Sequence, residues 1–217
     1  MEVVVPGPRD VRATLNRPTA AGEAGVEPGT EATTAVVACP PHPRMGGSRS
    51  DGRLRAVGDA LTDRGVACLR FDYGPWDEGR GERADARRAV AWTRERYDRV
   101  GLFGYSFGGC VAVLAAAAVA DDGGPVAALS TLAAASRVGD GRDRDAAAAL
   151  GRVDCPVQVV FGERDDTADW APLVERARTL GCETVAVGAD HHFVGQRERI
   201  ADRVGEFLRD RLGVPPS

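Results

Sequence analysis

Short apolar runs alternate with amphipathic segments along most of this chain, and this alternation constrains the fold more than any other feature of the sequence. Most of the runs are continuous stretches of apolar residues, which is typical of strands buried on both faces of a parallel sheet. The runs cover residues 35–39, 66–71, 99–103, 126–130, 157–161 and 183–187. Two further runs, 2–5 and 11–15, predict a pair of strands at the N-terminus.

Between the predicted strands, apolar residues recur at the spacing of one helix face. Leu54, Val57 and Leu61 mark the first such face. Three more faces are marked by Ala86, Ala89, Val90, Thr93 and Tyr97, by Trp170, Leu173, Val174 and Ala177, and by Ile200, Val204, Phe207 and Leu208. Alternating strands and helices predict an α/β fold, in which a mostly parallel sheet is flanked by helices on both faces. In such sheets the ligand binds at the carboxyl ends of the strands.

The length of 217 residues, 43% of them hydrophobic, favours one domain that spans residues 1–217. Residues 16–33 are rich in Pro, Gly, Thr and Glu, so we expect a mobile connection there. The five cysteines are an odd number and widely spaced, which favours reduced thiols over a disulfide framework or a metal site. We expect no metal and no cofactor.

The charge and hydropathy of the chain exclude several classes of partner. A net charge of -4 without a basic face is not typical of a nucleic-acid-binding protein. No window reaches the ~18 apolar residues that a membrane span needs, and the N-terminus lacks the features of a signal peptide. We therefore expect a cytoplasmic protein that binds neither nucleic acid nor membrane. The sequence does not indicate its oligomeric state.

The stretch "GYSFGG", residues 104–109, lies between a predicted buried strand and an alanine-rich helix. A serine at that position can simply cap the helix. A nucleophile elbow, in contrast, is a tight strand-to-helix turn that needs small residues two positions either side of the serine. Gly104 and Gly108 meet that requirement, and Gly109 lets the helix lie close to the sheet. A helix cap needs no such glycines, so we predict that Ser106 is a nucleophile.

A serine hydroxyl is a weak nucleophile until a histidine oriented by a carboxylate takes its proton. The chain has three histidines, His42, His191 and His192, and each follows a predicted strand. They therefore belong to the same edge of the sheet as Ser106. Asp165 and Asp166 follow the predicted strand 157–161 and lie between the serine and the later histidines in chain order. These residues predict a Ser, Asp, His triad, with the choice within each adjacent pair open.

Six ordered motifs extend this interpretation. They are "PHPRMGG" (41–47), "LRF" (69–71), "GERAD" (81–85), "GYSFG" (104–108), "GERD" (162–165) and "ADHHF" (189–193). With them the chain resembles an α/β hydrolase, and more narrowly the small dienelactone-hydrolase-like branch, which has little or no cap. The resemblance implies that Ser106 is the nucleophile, Asp165 the acid and His191 the base. Dienelactone hydrolase itself uses a cysteine nucleophile, so its own activity is not carried over to this chain.

An acyl-transfer site also needs backbone amides that hold the developing oxyanion. One should be the amide of Phe107, the residue after the nucleophile. The other should come from the loop after the strand 35–39, where three prolines lack an N–H, so that Arg44 is the first candidate and Met45 the second. Residues that could line the substrate pocket are His42, Met45, Tyr73, Trp76, Tyr105, His192 and Phe193.

Residues 132–153 occupy the position where this fold carries a cap. The segment is short and polar, so we expect at most one small helix and no cover over a large apolar pocket. An open site favours small or solvent-presented substrates. The chain is therefore expected to be a serine hydrolase that cleaves a small carboxylic ester, thioester or similar acyl bond. The alternative is a non-catalytic protein that uses the same fold to bind a ligand or partner, because a fold alone does not determine function.

Overall fold

The computed structural model describes residues 1–18, 32–139 and 141–215. Eight strands in these residues form one sheet: β1 Glu2–Val5, β2 Val11–Asn16, β3 Thr34–Cys39, β4 Ala67–Phe71, β5 Arg99–Tyr105, β6 Leu129–Leu132, β7 Val157–Gly162 and β8 Glu183–Val187. Their order across the sheet is β1-β2-β4-β3-β5-β6-β7-β8. β1 pairs antiparallel with β2 and β2 with β4, whereas the six strands from β4 to β8 across the sheet are parallel.

Helices cover both faces of this sheet. They are α1 Gly52–Thr62, α2 Arg80–Arg94, α3 Phe107–Asp121, α4 Ala146–Ala149, α5 Ala171–Thr179 and α6 Arg197–Leu212. One-turn 3-10 helices cover Pro43–Met45, Arg142–Arg144 and Leu150–Arg152. Successive residues of a strand face opposite sides, so Val37 packs in the core under α2, α3 and α5 while Val36 packs under α1 and α6. The predicted fold class is confirmed.

The predicted strands and helices are observed with small changes at their ends. β6 begins at Leu129 rather than at residue 126, because its pairing with β7 starts at Val157, directly after Pro156, which has no N–H to donate. Asn16 belongs to β2 and not to the predicted connection 16–33. Residues 19–31 of that connection lie outside the described residues. A single domain over residues 1–217 stays a prediction.

The segment 132–153 carries only α4 and two one-turn helices in its described part. Ala146, Ala149 and Leu150 are buried in the core on the α3 and α5 side. Arg144 reaches across to the loop before α2, where its Nη1 donates to Glu78 O at 2.8 Å. The segment therefore packs on the body of the protein, and the described residues form no large cap.

The described part of the chain contains no helix long and apolar enough to cross a membrane. Within the same residues, no group of three or more His, Cys, Asp or Glu side chains is arranged to hold a metal ion. All five cysteines are free thiols: Cys39, Cys68 and Cys110 are buried, while Cys155 and Cys182 are partly exposed.

Candidate active site

Ser106 is the single residue between the end of β5 and the start of α3. Its backbone has φ 56° and ψ −122°, a conformation that L residues rarely adopt and that stores about 1 to 3 kcal/mol of strain. Its side chain makes no hydrogen bond to the amides of α3, so Ser106 does not act as a side-chain helix cap. The turn instead directs the hydroxyl away from the helix, at the carboxyl edge of the sheet.

The glycines around Ser106 are required by close packing. A Cβ atom on Gly104 would lie 2.1 Å from the carbonyl oxygen of Gly108, and one on Gly108 would lie 2.2 Å from that of Cys39. On Gly109 it would lie 2.5 Å from the Cβ of Ala134, which follows β6. Two of these neighbours are backbone atoms, which cannot move aside by rotating a side chain. The local sequence thus produces the tight turn that its pattern predicts.

A continuous hydrogen-bond chain joins Ser106, His191 and Asp165. His191 Nε2 lies 2.9 Å from Ser106 Oγ, and His191 Nδ1 lies 2.7 Å from Asp165 Oδ2. The other oxygen of the carboxylate, Oδ1, accepts the amides of Thr167 at 2.9 Å and Ala168 at 3.1 Å. Because the buried carboxylate only accepts, Nδ1 carries the imidazole proton, and Nε2 is left free to accept the proton of the serine.

Neighbouring side chains fix the backbone of the two loops that carry the acid and the base. Tyr105 Oη donates to His191 O at 3.0 Å, and Trp170 Nε1 donates to Asp165 O at 2.9 Å. Burial raises the pKa of Tyr105 to about 12, so its phenol stays a neutral donor. Asp190 Oδ1 accepts the next two amides of the histidine loop at 2.9 and 3.0 Å. The sequence patterns did not indicate these supporting roles for Tyr105 and Trp170.

The structure separates the members of each adjacent pair. Asp166 is exposed, and so is His192, whose Nδ1 faces Arg53 Nη1 at 3.5 Å. Neither residue takes part in the chain of hydrogen bonds from Ser106. The geometry therefore brings Asp165 and His191 to the serine and leaves their neighbours at the rim.

The amides expected to hold an oxyanion differ in their availability. Phe107 is the first residue of α3, so its N–H is one of those that the helix itself cannot satisfy. The amide of Arg44 donates to His42 Nδ1 at 3.2 Å, and that of Met45 donates to His42 O at 3.0 Å. Both loop amides are thus engaged within the loop, and an oxyanion has to share or replace one of these acceptors. The sequence shows which residues possess an N–H, but only the folded loop reveals that the imidazole of His42 accepts one of these amides.

Aromatic side chains cluster beside the elbow. The ring of His42 lies 4.5 Å from that of Trp76 and 4.9 Å from that of Phe107. Tyr73 packs edge-on against Phe107 at 5.7 Å, and its hydroxyl donates to Pro40 O at 3.2 Å. Burial and the charge of Arg44 lower the pKa of His42, which favours the neutral ring that accepts the Arg44 amide. Four side chains thus form one wall next to the serine.

The remaining pocket candidates occupy different environments. Met45 is 80% exposed at the rim. Phe193 is only 1% exposed and packs in the core under α1 and α6, which does not agree with a place in an open pocket wall. Tyr105 is also buried in that core, with the guanidinium of Arg53 4.4 Å above its ring. The prediction that Phe193 lines the pocket is therefore wrong, because its ring packs inward against the core.

Solved α/β serine hydrolases share this architecture over nearly their whole length. A serine hydrolase homologue from Coxiella burnetii has a TM-score of 0.76 at 23% identity, with 96% of this chain and 97% of that chain covered. A lid-less serine hydrolase from Xanthomonas campestris has a TM-score of 0.78 at 22% identity, with 100% and 96% covered. The chain has the α/β-hydrolase fold.

A dienelactone hydrolase from Anabaena variabilis also matches, with a TM-score of 0.75 at 22% identity over 98% of this chain and 97% of that one. The resemblance to small hydrolases with little or no cap is therefore confirmed at the level of the fold. The sequence matches no protein-family model and no curated protein. Identities this low establish architecture, and function has to be argued from the site.

Proposed function

We propose that this protein is a serine hydrolase that cleaves small carboxylic esters, thioesters or related acyl bonds through an acyl-enzyme. The observation that carries the proposal is the hydrogen-bond chain from Ser106 Oγ through His191 to Asp165, at 2.9 and 2.7 Å. Such a chain supplies a nucleophile, a base and an orienting carboxylate in contact with one another. The strained elbow that presents the serine supports the same conclusion.

In the proposed reaction Ser106 Oγ attacks the acyl carbon while its proton passes to His191 Nε2. Asp165 holds the Nδ1 proton throughout and stabilises the imidazolium that forms. The amide of Phe107, the residue after the nucleophile, is the first proposed donor to the oxyanion that forms from the carbonyl oxygen, and one oxyanion-hole donor contributes about 3 to 4 kcal/mol in comparable sites. The second donor comes from the 40–47 loop, once an amide there turns from His42 to the oxyanion.

Collapse of the tetrahedral intermediate expels the alcohol or thiol, which takes the proton from His191, and leaves the acyl group on Ser106. Water then donates a proton to His191 and attacks the acyl carbon, which releases the acid and restores the serine hydroxyl. Each proton that His191 accepts is returned in the same half-reaction. The proposed chemistry needs no group beyond the residues named and water.

The rim of the site supports small or solvent-presented substrates. The 132–153 segment packs against α3 and α5 and does not extend into a large cap, and Ser106 is itself partly exposed. The aromatic wall, formed by His42, Tyr73, Trp76 and Phe107, provides an apolar surface of limited size for the acyl or alcohol group. The proposed substrate is therefore a small molecule with an accessible acyl bond.

Activity-based labelling tests the proposal. Wild-type protein should be labelled by a fluorophosphonate probe and should hydrolyse p-nitrophenyl acetate, and Ser106→Ala should lose both properties. Ser50→Ala, which alters an exposed serine away from the elbow, is the matched control and should keep both. Labelling that persists in Ser106→Ala would show that Ser106 is not the nucleophile. A folded wild-type protein that shows neither labelling nor hydrolysis would favour the alternative, a non-catalytic binding protein.

A further inference from the structure

The loop of residues 72–79, here called the rim loop, is held by two buried carboxylates of α2. Glu82 accepts the amides of Asp77 at 2.9 Å and of Gly79 at 2.8 Å, one on each oxygen. Asp85 accepts the amide of Gly74 at 3.0 Å. The side chains of both acids are 0% exposed, so each carboxylate is withdrawn from water to bind backbone of this loop.

Arg9, in the turn between β1 and β2, binds both Asp85 and the rim loop. Its Nε donates to the two oxygens of Asp85 at 3.0 and 3.1 Å, and its Nη2 donates to the carbonyl of Pro75 in the rim loop. Burial is the largest influence on Asp85 and raises its pKa, while the charge of Arg9 lowers it. Arg88 of α2 also donates to Asp85, through its Nη2 at 3.0 Å, so two cations compensate this buried carboxylate; an uncompensated charge in the interior is strongly destabilising. Arg9 differs from Arg88 in that it also donates to the rim loop, at Pro75 O.

The guanidinium of Arg9 lies in a slot that two glycines leave open. A Cβ atom on Gly81 would lie 2.2 Å from Arg9 Nη1, and one on Gly74 would lie 2.9 Å from Arg9 Nε. Any side chain at Gly81 would therefore displace the arginine. The side chain of Arg9 is only 19% exposed. This arginine is packed into the fold between α2 and the rim loop, unlike a solvated surface charge.

The rim loop carries the side chains that face the candidate active site. Trp76 lies 4.5 Å from the ring of His42 and 5.7 Å from that of Phe107. Tyr73 contacts the same Phe107 and donates to Pro40 O at the start of the 40–47 loop. A displacement of the rim loop therefore moves Tyr73 and Trp76, which form the part of the aromatic wall next to the 40–47 loop. That loop carries the amides proposed to hold the oxyanion.

We propose that Arg9 is a positioning residue, which holds the rim loop against α2 and so places Trp76 in the wall of the substrate pocket. The N-terminal hairpin, which at first sight only extends the sheet at its edge, thereby takes part in substrate selection. The inference rests on the proposed function. It predicts that Arg9 affects KM for the substrate through the position of Trp76, and not through the stability of the fold alone.

A double-mutant cycle tests this coupling. Arg9→Ala should raise KM for p-nitrophenyl benzoate, a bulky ester, by at least about threefold, because residues that share contacts are energetically coupled. It should raise KM for the smaller p-nitrophenyl acetate by less. In a Trp76→Ala background the same substitution should have little further effect on KM. Equal effects of Arg9→Ala with and without Trp76 would overturn the proposal, as would a KM for the benzoate that does not change.

Two further variants keep the result interpretable. Arg12→Ala removes an exposed arginine of the same hairpin and should leave the KM values of both esters at the wild-type level. Arg9→Lys retains a positive charge for Asp85 but lacks the fork that also reaches Pro75, so it should fold and shift KM for the benzoate in the same direction as Arg9→Ala. If Arg9→Ala does not fold, the cycle is run with Arg9→Lys, and a wild-type KM in that variant contradicts the proposal.

Failure of the proposed function would give a different result from failure of this inference. If wild-type protein neither hydrolyses the esters nor reacts with the fluorophosphonate, the placement of Trp76 is measured by acrylamide quenching of its fluorescence in the Trp92→Phe, Trp170→Phe protein. Arg9→Ala should increase the quenching constant of Trp76 at least about twofold, since a released rim loop exposes the ring. An unchanged quenching constant would refute the positioning role whatever the activity.

Discussion

Replacing Asp165 by asparagine should remove most of the activity while the fold is retained. The asparagine has the same size, and its single oxygen can still accept the amides of Thr167 and Ala168, as Oδ1 of the aspartate does. In that orientation its NH2 group faces His191 Nδ1, which must then accept. The imidazole proton moves to Nε2, on the side of Ser106, and the base is lost.

The size of the effect follows from the two orientations of the asparagine. The wrong tautomer lowers kcat by about 10⁴ in comparable triads, which corresponds to about 5.5 kcal/mol in the barrier. The opposite orientation restores the tautomer but leaves two amides without an acceptor, at about 1 to 3 kcal/mol each. Because these amides are only partly buried, we take roughly 2 to 4 kcal/mol in total, so that one molecule in about 30 to 1,000 keeps the active arrangement.

The assay is kcat for p-nitrophenyl acetate, measured together with the melting temperature. We expect kcat of Asp165→Asn to fall by about 30-fold to 10⁴-fold at a nearly unchanged melting temperature. Asp166→Asn is the matched control, because Asp166 is exposed and outside the hydrogen-bond chain, and it should stay close to wild type. A loss smaller than about tenfold in Asp165→Asn, or an equal loss in Asp166→Asn, would refute the assignment of the acid.

Three other substitutions test separate parts of the structure. His191→Ala should abolish hydrolysis of the same ester, whereas His192→Phe should change mainly KM, and the opposite pattern would show that the base is the exposed histidine. Gly108→Ala should lower the melting temperature, because its Cβ would lie 2.2 Å from a backbone oxygen and overpacking costs about 1 to 3 kcal/mol. Gly205→Ala is the control and should not lower it, because the nearest contact of its Cβ would be at 3.4 Å. Equal melting temperatures of the two variants would contradict the packing argument. Burial lowers the pKa of His42, so as the pH falls below about 6.5 the unfolded chain binds a proton before the folded protein does. The free energy of unfolding should therefore fall more between pH 7 and pH 5 in wild type than in His42→Asn. Equal losses in the two proteins would contradict this pKa shift.

Much of the architecture could be predicted because it follows from local pattern. Each central strand is a short apolar run, and each long helix has a periodic apolar face except α3, which is alanine-rich and apolar on all sides. The alternation therefore specified a parallel sheet covered on both faces. The start of β6 was missed by three residues, because residues 126–128 are apolar whether or not β7 lies beside them. The residue at which a strand begins depends on the strand that pairs with it, and the local sequence does not show which strand that is.

For the candidate site, local patterns were enough to predict the available chemistry: one serine in a glycine-flanked turn, and histidines and aspartates at the ends of later strands. Which member of each pair faces Ser106 was decided by the loops after β7 and β8, where amides 167 and 168 and the Tyr105 hydroxyl orient Asp165 and His191. Tertiary packing also determines the inward direction of Phe193 and the contact of Arg9 with the rim loop, at Pro75, 66 residues away. Spacing along a chain identifies which residues share an edge of the sheet, but the direction of a side chain depends on contacts between segments distant in sequence, and those exist only after the chain has folded.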